Sequence, residues 1–69
     1  MPSEVRFSEV RKLLGSHGWS LSRIRGSHHI FTKEGESPIS IPVHRQKVKH
    51  VYVREIKKKL EEEDREAGD

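Results

Sequence analysis

The chain contains no cysteine, so neither a disulfide framework nor a thiolate metal site can be built from it. No stretch approaches the roughly 20 apolar residues of a membrane span, and nothing near the start reads as an apolar signal segment. These absences point to a soluble, cytoplasmic protein with no membrane partner. The sequence has no internal repeat, and its one biased segment is an acidic run at the end. At 69 residues the length suits one compact domain, spanning 1–69. A domain of this size buries only about 60% of the surface its unfolded chain exposes, so the core must be thin and a deep pocket is hard to build.

Charge is plentiful but unevenly placed. Residues 19–60 hold ten Lys and Arg against Glu34, Glu36 and Glu55, a net +7. Residues 61–69 hold six acids against Arg65 alone, a net −5. The overall +3 therefore hides a basic body and an acidic tail. A basic body favours a polyanionic partner, although a well-solvated surface would look the same by charge alone. The tail, highly charged and nearly devoid of apolar residues, is expected to be disordered over 61–69, which leaves a folded core of about 7–60.

Hydrophobic spacing gives the order of elements. Residues 1–6 read as a loose lead-in. Ser8 is placed to cap a first helix carrying Val10, Leu13 and Leu14, with Phe7 as a staple at its start and Gly15 and Gly18 near its end. Residues 19–25 read as a strand with Trp19 and Leu21 on one face. Gly26 and Ser27 break it, residues 28–33 form a second strand, and residues 34–36 turn the chain again. Residues 38–44 form a third, in which Ile39, Ile41 and Val43 alternate with Ser40, Pro42 and His44. Pro42 cannot donate to a ladder, which suits a sheet edge. A last helix over residues 49–64 presents Val53, Ile56 and Leu60 as its stripe. The fold class is thus α+β in the order α-β-β-β-α. A three-stranded antiparallel sheet with both helices on one face buries these stripes most economically.

Alternation then sorts the side chains. Phe31, the larger apolar group, takes the helix-covered face together with His29 and Lys33, which sends His28, Ile30 and Thr32 to the open one. Ile39, Ile41 and Val43 face the core, so His44 also faces out. Two histidines from different strands then share one exposed, basic surface. Histidine both accepts and releases protons near neutrality. RNA carries its own nucleophile, the 2′-hydroxyl. Its cleavage needs a base, an acid for the leaving 5′-oxygen and cations for the developing phosphorane charge. Exposed histidines are also ordinary surface residues. A zinc site is disfavoured because His28 and His29, adjacent on a strand, point apart.

Several pieces of the sequence, taken in order, resemble the HicA family of toxins. Leu13 and Leu14 lie on a short helix followed by Gly18 and Trp19. Arg25, Gly26, Ser27 and His28 open the second strand, with Phe31 three residues on. Ile41, Pro42, Val43 and His44 resemble the family's proline–histidine element, and Val53, Arg54, Glu55 and Ile56 its final helix. The resemblance implies a double-stranded-RNA-binding-domain-like fold, mRNA interferase activity with no cofactor, and a HicB-like antitoxin partner. It places the catalytic histidine at His28, with Gly26 important to activity. His29 competes for the role. His44 is the second candidate for proton transfer or phosphate binding, and Arg25, Lys33, Lys47 and Lys49 are candidates for RNA contact.

Two other readings fit the same order of elements. A non-catalytic RNA-binding module would use Lys47, Lys49 and His50 at a helix start to meet phosphates. An adaptor would use the basic face of the last helix, where Arg54, Lys57, Lys58 and Lys59 are otherwise simply solvated. The glycine-hinged histidine favours the enzyme, since a binder has no need of one.

Overall fold

The computed structural model describes residues 3–67. Its elements are β1 (Glu4–Arg6), α1 (Phe7–Ser16), β2 (Ser20–Arg25), β3 (His28–Thr32), β4 (Ile39–Pro42), β5 (Lys47–Lys49) and α2 (His50–Ala67). Strands β2, β3 and β4 form the expected antiparallel sheet, in that order, and Pro42 ends the edge strand β4. Both helices cover one face, so the fold is α+β as the pattern required.

The core is one cluster. From α1 come Phe7, Val10 and Leu14, at the spacing of one helical face. From α2 come Val53, Ile56 and Leu60, and from the sheet side Trp19, Phe31, Ile41 and Val43. Full burial of a Leu or Phe side chain contributes about 1.5–3 kcal/mol, so eleven buried apolar residues constitute most of what holds the chain together. The end of α1 follows from Gly18. With φ +88° it donates to Gly15 at 3.1 Å, while Trp19 donates to the Leu14 carbonyl at 3.0 Å. That paired closure turns the chain sharply and drops Trp19 into the core.

Two expectations are corrected. The segment before α1 is not wholly loose: β1 pairs antiparallel with β5, placing Glu4 opposite Lys49, Val5 opposite Val48 and Arg6 opposite Lys47. Val48 is fully buried, which is why so short a ribbon is retained. Secondly, Ser8 does not cap α1. The helix begins at Phe7, Arg6 is the extended residue before it without a capping side-chain bond, and Phe7 N–H donates instead to the Gln46 carbonyl at 2.7 Å. The ribbon delivers the chain directly into the helix and makes a side-chain cap unnecessary. Residues 61–67, expected to belong to a disordered tail, lie within α2. Helix α2 runs on to Ala67 because its end finds tertiary partners that composition does not reveal. Residues 68 and 69 of the expected tail lie outside the described residues.

Candidate active site

The turn between β2 and β3 contains just Gly26 and Ser27, with Arg25 and His28 paired at its base. Gly26 has φ +60°, and a two-residue hairpin turn with left-handed φ at its first central position calls for glycine there. A Cβ at Gly26 would meet nothing within 4 Å, so backbone conformation rather than crowding demands the glycine. Gly26 therefore serves the site by fixing where the next strand starts. Its first residue is His28.

Strand β3 divides its side chains as alternation requires. Phe31 is buried and His29 half-buried, whereas His28 and Thr32 are exposed. The His29 ring packs against Phe7 with centroids 4.6 Å apart, and its Nδ1 lies 3.4 Å from the Ser27 carbonyl. His28 is held by neither helix and points away from them.

Register across the sheet arranges the open face in rows. His28 stands between Arg25 on β2 and Pro42 on β4. In the next row Ile30 stands between Arg23 and Ser40. Directly opposed residues of an antiparallel pair have Cβ atoms about 4.5–5.5 Å apart, so Arg25 and His28 are side-chain neighbours. Arg23 was not among the residues that the sequence singled out. Register shifts between Leu21 and Arg23, where Ser22 is an extra residue, and this β-bulge reverses the alternation of the rest of β2. Hydrophobic pattern gave no signal of it, since Ile24, the apolar residue beyond the bulge, is 55% exposed and has no core position to demand.

His44 is exposed as expected, but it is not a strand residue. It sits at the base of a two-residue turn, exchanging backbone hydrogen bonds with Lys47 at 3.0 and 2.9 Å. Together with Glu4, Pro42, Lys47, Lys49 and Tyr52 it lines a small cleft of about 50 Å³. Pro42 belongs both to this cleft and to the His28 row, so the two histidines flank one proline. Lys47 and Lys49 thus join the site at its margin. Lys33 does not. It lies on the helix-covered side, where its Nζ is 3.7 Å from Glu63 Oε2.

Among the described residues, no group of three His, Asp or Glu side chains comes together in a way that could hold a metal ion. No helix among them is long and apolar enough to cross a membrane.

The arrangement offers proton transfer at His28, a permanent cation at Arg25, and further positive charge beside Pro42. A family model described as HicA toxin of bacterial toxin-antitoxin matches residues 7–61. No curated protein and no solved structure matches the chain.

Proposed function

Since the chain belongs to the HicA toxin family of bacterial toxin-antitoxin systems, and so has an antitoxin as partner, we propose that it is an mRNA-cleaving ribonuclease that works by histidine acid–base chemistry without a metal. The observation that carries this reading is the pairing of an exposed His28 with Arg25 on the open face. His28 exchanges a proton with the reacting 2′-hydroxyl or with the leaving 5′-oxygen. The 2′-oxygen attacks the adjacent phosphorus as the bond to the 5′-oxygen breaks. The products are a 2′,3′-cyclic phosphate and a 5′-hydroxyl end. The Arg25 guanidinium stands where the phosphorane charge develops. His44 is the second proton-transfer or phosphate-binding group, and Lys47 and Lys49 attract the backbone alongside it. The partner is a HicB-like antitoxin that suppresses this activity.

The test is to incubate the purified protein and its His28→Ala variant with single-stranded RNA in excess EDTA. Wild-type cleavage in EDTA, with a loss of about 10²–10⁴ in rate for the variant, supports the reading. A requirement for added divalent metal overturns the metal-free chemistry. RNA that is bound but never cut identifies a binding module of the same fold.

A further inference from the structure

The bulge at Ser22 brings onto the open face two arginines that a regular strand would have sent to the other side. Counting from Leu21, which opposes Phe31 on the helix side, unbroken alternation would leave Arg23 and Arg25 facing the helices. With the extra residue, Arg23 instead opposes Ile30 and Arg25 opposes His28, while Ile24 opposes the helix-side His29. Both arginines are exposed, and neither has an ion-pair partner among the described residues.

We propose that Arg23 binds the substrate phosphate next to the scissile one, so that an extended single strand of RNA lies along β2. This inference rests on the ribonuclease reading and deepens it. Two residues apart on a strand, Arg23 and Arg25 are separated by about 6.7 Å along β2, comparable to the step between neighbouring phosphates of an unpaired strand. Strand β2 is an outer strand of the sheet, open along its flank. Between the arginines and β4 the surface presents Ile30, half-buried and apolar, opposite Ser40. The lower row, holding Arg25 and His28, does the chemistry. The upper row, holding Arg23, holds the strand in register. Arg23 therefore acts equally on bound substrate and transition state, which affects KM rather than kcat.

The experiment compares Arg23→Gln, Arg23→Lys and Arg11→Gln in steady-state cleavage of a short single-stranded RNA. Arg11 is exposed on α1, across the molecule from the open face, and its loss changes net charge equally. RNA binding is measured separately, by fluorescence anisotropy across a salt series, with His28→Ala and the His28→Ala/Arg23→Gln double variant. Arg23→Gln is expected to raise KM roughly tenfold at unchanged kcat, with Lys restoring part of the loss and Arg11→Gln behaving as wild type. In the uncleaving background it should flatten the salt dependence of log affinity by about 0.7, one phosphate contact on a single strand. Wild-type KM and an unchanged salt slope in Arg23→Gln overturn this proposal and leave the ribonuclease reading standing. An equal effect from Arg11→Gln also overturns it, because net charge alone would then explain the loss. If His28→Ala still cuts RNA while Arg23→Gln shows the KM effect, the assignment of His28 fails and that of Arg23 survives. A wild-type protein that neither binds nor cuts RNA removes both.

Discussion

The Trp19 indole N–H donates to Glu63 Oε2 across 3.2 Å, joining residues 44 positions apart in the chain. Around this bond the end of α2 is fastened to the start of β2. Lys33 Nζ approaches the same Glu63 oxygen at 3.7 Å, Lys59 lies over the Trp19 ring at 5.8 Å, and His17 Nε2 is 3.3 Å from Asp64 Oδ2. The Glu63 side chain is 10% exposed, and the charged end of the helix is therefore part of the folded unit.

Glu63→Ala is expected to destabilise the protein by about 1–3 kcal/mol, since it strands the Trp19 N–H in a buried position. Thermal melting reads the loss. Amide exchange should show protection in the wild type through about residue 64 and its loss in the variant beyond about residue 60. A wild-type helix that exchanges freely from residue 61 onward would show that these contacts do not hold it.

His29→Ala and His28→Ala should separate stability from chemistry. The His29 ring packs on Phe7, so its removal is expected to lower the melting temperature while cleavage per folded molecule persists. His28 is exposed, so its removal should leave the melt within about 0.5 kcal/mol of wild type and abolish cleavage. An inactive His29→Ala with an unchanged melt would reverse the assignment of roles.

The turn from His44 to Lys47 should accept a stabilising replacement. Arg45 and Gln46 both adopt left-handed φ, at 52° and 65°, where side chains are strained by roughly 1–2 kcal/mol per residue. Replacing them with Asn and Gly, the pair suited to a turn with both central φ positive, is expected to raise stability by about 1 kcal/mol. Denaturant unfolding measures it. Should cleavage fall as stability rises, Arg45 has a part in holding RNA.

Gly26→Ala should lose activity for a conformational reason. The substitution meets open space but forces a left-handed alanine, which strains the turn by roughly 1 kcal/mol and displaces His28 relative to Arg25. The expected result is a modest drop in melting temperature with a larger drop in kcat. Serine or alanine variants retaining full kcat would show that the turn does not position the histidine.

The sequence by itself determined the two amphipathic helices, the three strands of the sheet and which faces β3 and β4 bury. Those features follow from local periodicity: Val53, Ile56 and Leu60 repeat with the helix, and Ile39 and Ile41 with the strand. The exposure of His28 followed in the same way, because Phe31, three residues on, had to face inward. Tertiary structure decided what depends on residues far apart in the chain. Residues 4–6 carry no decisive strand pattern and pair only because Val48 has a core to enter. The acidic end of α2 reads as a solvated tail until Trp19 and Lys33 are placed beside Glu63. The reach of the candidate site likewise rests on one extra residue at Ser22, since period two cannot show where a strand slips against its neighbour.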